Sequence, residues 1–126
     1  MNTIKDTTGL IIGCAIKVHS SLGPGLLESS YKECLYFELI KAGATVVKEM
    51  PLPIVYNNVR LECGYRIDML VEKEVVVEIK SVEALAPIHF TQTLTYLRLS
   101  KNRFGLLINF NVVKLKEGIR RVVNGY

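Results

Sequence analysis

Residues 65–80 read YRIDMLVEKEVVVEIK, and their apolar side chains recur at every second position. This period of two is typical of β-strands, whose side chains alternate between two faces. The apolar faces consist of Ile67, Met69 and Val71 in a first strand and of Val75, Val77 and Ile79 in a second. A hairpin brings these faces together only if its loop contains an odd number of residues. The sequence therefore predicts a three-residue loop at 72–74, with Val71 opposite Val75.

The predicted register of this hairpin places Asp68 directly opposite Glu78. Facing side chains have Cβ atoms only about 4.5–5.5 Å apart, and like charges at that distance are destabilising. One interpretation is that a divalent ion such as Mg²⁺ binds between the two carboxylates, since hard cations prefer oxygen ligands. Lys80 would then stabilise developing charge or position an attacking water. The other is that Arg66 and Lys80 pair with the two acids as an exposed salt-bridge ladder, which contributes little.

Helical spacing of apolar residues occurs on both sides of this hairpin. It predicts a first helix over about 8–20 and a second over about 24–42, with Pro24 in its first turn and Gly43 as its C-terminal cap. A third helix is expected over residues 88–101, with Phe90, Leu94 and Leu97 on its apolar face. Further strands are expected at 45–49, 52–56, 60–71, 75–80 and 104–110, with a tight turn at Asn57-Asn58 and a last strand or short helix at 119–123. This order of elements predicts an α+β or mixed α/β fold with helices against a central sheet.

The length and composition are those of one globular domain, expected to span residues 1–126. Apolar residues make up 49% and charged residues 22%, which excludes disordered, collagen-like and coiled-coil proteins. No apolar run approaches the roughly 18 residues of a membrane span, so no membrane association is expected. The three cysteines, Cys14, Cys34 and Cys63, are widely spaced and suit neither a zinc site nor a disulfide framework. We expect reduced, buried thiols and a cytoplasmic protein.

Positive charge is concentrated in the last quarter of the chain. The net charge is +4 overall, but residues 98–126 hold seven basic residues and one acid, Glu117. The basic residues are Arg98, Lys101, Arg103, Lys114, Lys116, Arg120 and Arg121. Clustered cations suit a polyphosphate partner such as nucleic acid, because binding releases counterions. A solvated basic surface that maintains solubility is the alternative.

Glu28, on the second predicted helix, is a third candidate carboxylate. At 100° per residue it lies within about 20° of Leu35 and Leu39, and therefore borders the apolar stripe. A lone carboxylate is costly there unless it is paired or bound to a metal. Alternatively, Glu28 helps to start the helix, because negative charge is favourable near a helix N-terminus.

The third predicted helix carries His89, Gln92 and Tyr96 on a face well separated from its apolar face. This face is either an ordinary solvated surface or a site in which Gln92 and Tyr96, one turn apart, orient a phosphate or a base. His19, on the first helix, is expected to be a capping or core histidine.

Several of these residues follow one another in a recognisable order. Residues 25–31, GLLESSY, match the pattern GxxExxY, and they are followed by Asp68, by Glu78-Ile79-Lys80, and by Gln92 and Tyr96 at QxxxY spacing. Over nearly its whole length the chain resembles the GxxExxY family, which is assigned to the PD-(D/E)XK nuclease superfamily. The last pair is similar to an element of RecB-like and lambda-exonuclease-like members. The proline that usually precedes the first acid is absent, and Ile67 stands there.

The resemblance implies a restriction-endonuclease-like core, in which helices flank a central mixed sheet and the active site lies at one edge of the sheet. It also implies a Mg²⁺ or Mn²⁺ cofactor. The implied metal ligands are Asp68, Glu78 and the main-chain carbonyl of Ile79, with Glu28 completing the shell or holding a water; Lys80 would serve the nucleophilic water, and Gln92 and Tyr96 would position the substrate.

Three functional hypotheses follow. The first is a metal-dependent nuclease whose basic C-terminal quarter binds nucleic acid. The second is a non-catalytic module that binds nucleic acid or a protein on the same surface. The third is a structural role through oligomerisation, since small nucleases of this superfamily commonly form homodimers. A chain of this length also allows a separate protein partner that selects the substrate.

Overall fold

The computed structural model describes residues 3–125, and within that range it contains three α-helices and seven strands. The helices are α1 (Ile4–Leu22), α2 (Glu28–Lys41) and α3 (Pro87–Ser100). The strands are β1 (Val46–Pro51), β2 (Ile54–Tyr56), β3 (Val59–Leu61), β4 (Arg66–Val71), β5 (Val75–Lys80), β6 (Phe104–Asn109) and β7 (Ile119–Val123), and a short 3₁₀ helix (Leu115–Gly118) precedes the last of them. Positions 1, 2 and 126 of the expected domain lie outside the described residues.

Five strands form one mixed sheet in the order β1-β4-β5-β6-β7. The β5 and β6 pair is parallel and is joined by the crossover helix α3, whereas the other neighbours are antiparallel. Strands β2 and β3 form a separate hairpin. The predicted class, a mixed central sheet flanked by helices, is confirmed.

The sheet separates two apolar cores. The larger core lies against α1 and α2 and includes Ile11, Tyr31, Leu35, Val77 and Phe110. The smaller core lies beneath α3 and includes Ile67, Val76, Tyr96, Leu97 and Val122. Because α1 and α2 cover one face and α3 covers the other, side chains of β5 alternate between two different helix layers.

The second helix begins later than predicted, at Glu28, so Pro24 is not in its first turn. Gly25 has a φ of 100°, which a helix does not allow. The Tyr31 hydroxyl donates to the Gly23 carbonyl and accepts the Leu26 N–H, and this fixes residues 23–26 as a loop. The helix ends as predicted: Gly43 has a φ of 90°, and its N–H donates to the Ile40 carbonyl.

The predicted strand at 60–71 is broken into two. Residues 59–61 pair with β2, whereas residues 66–71 pair with β1 and β5, and Gly64, with a φ of 80°, lies between them. The Asn57-Asn58 turn is confirmed, because both residues have positive φ and Tyr56 pairs with Val59. Residues 119–123, for which the sequence allowed either a strand or a short helix, form a strand.

Two further sequence predictions concern polar side chains inside or near the cores. His19 is a core histidine, and its Nε2 lies 2.7 Å from the carbonyl oxygen of Val112. All three cysteines are free, but only Cys14 is buried, and Cys63 is exposed because it lies in the loop between β3 and β4. The expectation of buried thiols is therefore confirmed for Cys14, holds only in part for the half-buried Cys34 and is wrong for Cys63. Within residues 3–125, no helix is long and apolar enough to cross a membrane.

Candidate active site

Strands β4 and β5 separate at a pair of carboxylates. The ladder pairs Val71 with Val75 and continues to Met69 opposite Val77, which confirms the predicted register. At the next position, hydrogen bonds from backbone N–H groups to side-chain carboxylates take the place of the backbone ladder. The Asp68 N–H donates to Glu78 Oε2 at 2.9 Å, and the Ile79 N–H donates to Asp68 Oδ2 at 2.8 Å. Each carboxylate is therefore held by the backbone of the opposite strand, and one oxygen of each takes no part in these two bonds.

Burial makes this pair electrostatically costly. Glu78 is only 4% exposed. Desolvation and, second, the negative charge of Asp68 raise the pKa of Glu78 from 4.5 to about 8, against the opposing influence of the Asp68 N–H and of Lys80 and Lys32. Burial and the charge of Asp68 therefore favour the protonated form of Glu78. A buried, strongly perturbed acid beside a second carboxylate is typical of a functional site.

A cation from α2 contacts Asp68 of this pair. Lys32 Nζ lies 3.4 Å from Asp68 Oδ1 and 2.5 Å from Glu49 Oε1. Burial lowers the pKa of Lys32, but the bonds and charges of Glu49 and Asp68 outweigh it and raise the pKa. The predicted exposed ladder of Arg66 and Lys80 is therefore wrong, because Glu78 is buried and Asp68 pairs with Lys32 instead.

Sequence reasoning missed both Lys32 and Glu49. Lys32 follows Tyr31 directly and lies one helical turn after Glu28, which is a signal that could have been used. Glu49 lies opposite Asp68 in the register of β1 and β4, and it has a φ of 57°. No local pattern predicts that register, because residues 52–65, which include a separate hairpin, lie between the two strands.

Lys80 and Gln92 contact each other on the α3 side of the sheet. Lys80 Nζ donates to Gln92 Oε1 at 3.0 Å. Tyr96, one turn later, is 9% exposed, so the interpretation of this face as an ordinary solvated surface is wrong for it. Burial, followed by the charge of Glu78, raises the pKa of Tyr96. His89 does not join them, because its Nδ1 accepts the Ala86 N–H at the start of α3.

Glu28 is the first residue of α2 and is exposed, so it does not border the apolar stripe as predicted. Its position agrees with the alternative that it favours the helix start. The buried Tyr31 sets the loop before the helix and thereby directs Glu28 to an open cleft of about 490 Å³ that also includes Lys32 and Ser81. Ser81 follows Lys80, so Glu28 lies at the same end of the sheet as the carboxylate pair.

The donor set of this site fits a hard divalent ion. Asp68, Glu78 and the Ile79 carbonyl are oxygen donors, and Mg²⁺ is typically bound through one or two carboxylates together with substrate phosphates. Among residues 3–125, no group of three or more His, Cys, Asp or Glu side chains is close enough to hold a metal. The part of Glu28 in a metal shell stays a prediction.

An apolar groove of about 310 Å³ extends from Gln92 and Tyr96 along α3. Its lining also includes Tyr65 and Ile88, which are 46% and 67% exposed. The Tyr65 and Tyr96 rings are 6.3 Å apart and tilted by 60°. The carboxylate pair thus adjoins an aromatic surface that is open to a ligand.

The basic residues of the C-terminal quarter do not form one surface. Arg120 pairs with Leu107, which pairs with Glu78, so Arg120 lies in the same row as Glu78 at about two strand spacings, or roughly 10 Å. Arg121 points to the opposite face, where it lines a groove with α1. Arg103 lies just before Phe104, the first residue of β6, and Phe104 pairs with Val75. Val75 is at the opposite end of β5 from Lys80, about 17 Å away along the strand.

One comparison with known proteins gives a match. The family model of the PD-(D/E)XK nuclease superfamily matches residues 5–122 of the chain. Neither a curated protein nor a solved structure gives a match. The matched range includes all the elements that carry the carboxylate pair, Lys32, Lys80 and Gln92.

Proposed function

The chain belongs to the PD-(D/E)XK nuclease superfamily, and we propose that it is a Mg²⁺- or Mn²⁺-dependent nuclease that hydrolyses phosphodiester bonds of nucleic acid. The observation that carries the proposal is the pair Asp68 and Glu78, which face each other where β4 and β5 separate. Residues 25–31 further support membership of the GxxExxY group within the superfamily.

Asp68, Glu78 and the main-chain carbonyl of Ile79 would hold the divalent ion. Such an ion, when bound, polarises a phosphate and lowers the pKa of a coordinated water. Glu78 has to be ionised to act as a ligand, and its pKa of about 8 means that it releases a proton when the cation binds. We therefore expect metal affinity to increase with pH up to about 8.

Lys80 is the residue of this chain that acts on the phosphate. Its ammonium shares the face of Glu78 and is held by Gln92 at 3.0 Å, which leaves two of its three protons for a phosphate oxygen or the attacking water. A fixed cation in this position stabilises the negative charge that develops during hydrolysis. Gln92 is accordingly a positioning residue, and Glu28 orients a water from the rim of the cleft.

The groove along α3 supports a nucleic-acid substrate. Tyr65 and Tyr96 line it, and Tyr96 is one turn from Gln92. Bases stack on exposed aromatic rings with a gain of about 1–3 kcal/mol each. A strand whose phosphate lies at Lys80 can thus place a neighbouring base against Tyr65.

The experiment that tests the proposal is a cleavage assay with Mn²⁺ on single-stranded and duplex DNA and RNA. We expect Asp68→Asn and Glu78→Gln to lower the rate by more than the roughly 10–100-fold that loss of an outer-shell metal partner causes. Glu62→Gln is the matched control, because Glu62 is exposed in the loop directly after β3 and pairs only with Arg60 among the ion pairs of residues 3–125. Wild-type folding of all three variants is checked by circular dichroism.

Full cleavage by Asp68→Asn would contradict the proposal. Salt-sensitive binding of nucleic acid without metal-dependent cleavage would instead support the second hypothesis, a non-catalytic binding module. Homodimer formation and a partner that selects the substrate remain predictions, which sedimentation of the free and nucleic-acid-bound protein tests.

A further inference from the structure

Lys32 occupies a position that the catalytic roles above do not use. We propose that the Lys32 ammonium is the resident counter-cation of the carboxylate pair, and that a divalent metal binds only when this ammonium moves from Asp68 to Glu49. This inference rests on the proposed function, because it concerns the ion that the function requires. It predicts that Lys32 weakens metal binding by the free protein.

The contacts of Asp68 indicate that the Lys32 ammonium and a metal would bind the same carboxylate oxygen. Asp68 Oδ2 already accepts the Ile79 N–H at 2.8 Å, so Oδ1 is the oxygen that this backbone bond does not occupy and the one we assign to a metal. Lys32 Nζ lies 3.4 Å from that same oxygen. Its side chain is only 19% exposed, so solvent screens this contact less than it would a surface ion pair. The ammonium and a metal on Oδ1 therefore compete for one place.

Electrostatic repulsion prevents the metal and the Lys32 ammonium from binding side by side at Asp68. A divalent ion and an ammonium about 4 Å apart repel each other by roughly ten times the thermal energy or more even at an effective dielectric constant near 20. A divalent metal can therefore bind tightly at Asp68 Oδ1 only if the Lys32 ammonium moves away from that oxygen. Glu49 provides an alternative partner for the ammonium, because Glu49 Oε1 already accepts a hydrogen bond from Lys32 Nζ at 2.5 Å.

The backbone at Glu49 supports a specific role for this acceptor. Glu49 is a strand residue with a φ of 57°, a left-handed conformation that is strained for a residue other than glycine. Such strain persists only where the surroundings impose it, and it is common at functional sites. The register of β1, β4 and β5 places Glu49, Asp68 and Glu78 in one row across the sheet. Lys32 bridges the first two of these acids.

The test is calorimetric titration of the protein with Mn²⁺ alone, at low ionic strength. We expect Lys32→Met to tighten Mn²⁺ binding by about tenfold or more, since it removes the competing charge and keeps the length of the side chain. Lys48→Met is the matched control, because Lys48 pairs with Glu33 at 2.7 Å and is not part of the carboxylate row. Lys32→Gln, which still donates to Glu49, provides a second variant should Lys32→Met not fold.

Thermal unfolding provides a readout that does not depend on activity. Without metal, Lys32→Met should unfold at a lower temperature than wild type, because Glu49 and Asp68 lose their cation. Saturating Mn²⁺ should remove most of this difference, and adding Asp68→Asn to Lys32→Met should abolish the tightened binding.

The possible failures are distinguishable. If wild type binds Mn²⁺ and neither Lys32 variant binds it more tightly than Lys48→Met does, the counter-cation role is overturned and the proposed function stands. If no variant binds Mn²⁺, even with an oligonucleotide present, the metal site itself is overturned, and the role of Lys32 with it. Metal binding by Lys32→Met but not by wild type would be the strongest support.

Discussion

Glu78 illustrates how a single buried acid links protein stability to metal binding. Its pKa is raised first by desolvation and then by Asp68, and the folded chain therefore holds a proton that the unfolded chain releases. A group whose folded pKa is raised contributes stability below its unfolded pKa and loses that contribution as pH rises to the folded value. For Glu78 this interval runs from 4.5 to about 8.

We therefore predict that the metal-free wild-type protein loses stability as the pH rises from 5 to about 8. The Glu78→Gln variant lacks this titrating group and should lose less stability over the same interval. The slope attributable to one proton is about −1.4 kcal/mol per pH unit at most. Urea denaturation in the presence of a chelator, at several pH values, measures it for both proteins. Parallel pH profiles for wild type and Glu78→Gln would contradict the raised pKa.

Among the elements, the end of β6 determines the course of the chain after Lys80. Asn109 is 1% exposed, and its side chain bonds with both the N–H and the carbonyl of Val82. Gly118, at the end of the 3₁₀ helix, packs directly on the Asn109 carbonyl, where no Cβ fits. A glycine far from the carboxylates thus helps to set the loop that carries Ser81 beside Glu28.

Gly118→Ala should accordingly destabilise the protein by about 1–3 kcal/mol, because a methyl group has to displace either the 3₁₀ helix or β6. Gly9→Ala is the control: Gly9 is exposed within α1, nothing lies within 4 Å of its added Cβ, and the change should stabilise the helix by about 0.5–1 kcal/mol. Urea denaturation compares the two. Equal stabilities would mean that the packing at Asn109 is loose.

On the scale of the whole molecule, the carboxylate pair lies between two helix layers. Lys32 reaches it from α2, on the face covered by the larger core, and Lys80 is held by Gln92 of α3 on the other face. Within residues 98–125, Arg120 is the one basic residue that the register places in the row of Glu78. Its neighbour Arg121 faces α1.

These neighbours form a matched pair for nucleic-acid binding. Arg120→Gln should weaken the binding of a short oligonucleotide and reduce the slope of log K against log salt by about 1, because one phosphate contact is lost. Arg121→Gln removes the same charge from the opposite face and should leave that slope unchanged. Fluorescence anisotropy at several salt concentrations measures both; equal effects would show that net charge, rather than the α3 face, determines binding.

Local patterns in the sequence were sufficient to predict the hairpin that carries the two carboxylates. Alternation over residues 65–80 and a three-residue loop were enough to pair Asp68 with Glu78, because a hairpin register follows from parity and loop length. Helical spacing, together with Gly43 and the Asn57-Asn58 turn, located most element boundaries within a few residues. The GxxExxY and QxxxY spacings pointed to Glu28, Gln92 and Tyr96, although the exposure of Glu28 and the burial of Tyr96 were not foreseen.

The residues that surround the carboxylate pair come from long-range packing, which local patterns do not predict. The pairing of β1 with β4 brings Glu49 opposite Asp68, the docking of α2 on the sheet brings Lys32 to both, and the β6–β7 register brings Arg120 into the row. These contacts join segments between 17 and 42 residues apart, and no periodicity extends across such separations. They form because each element has one apolar face to bury, and burying all of these faces at once leaves one arrangement of the polar residues between them.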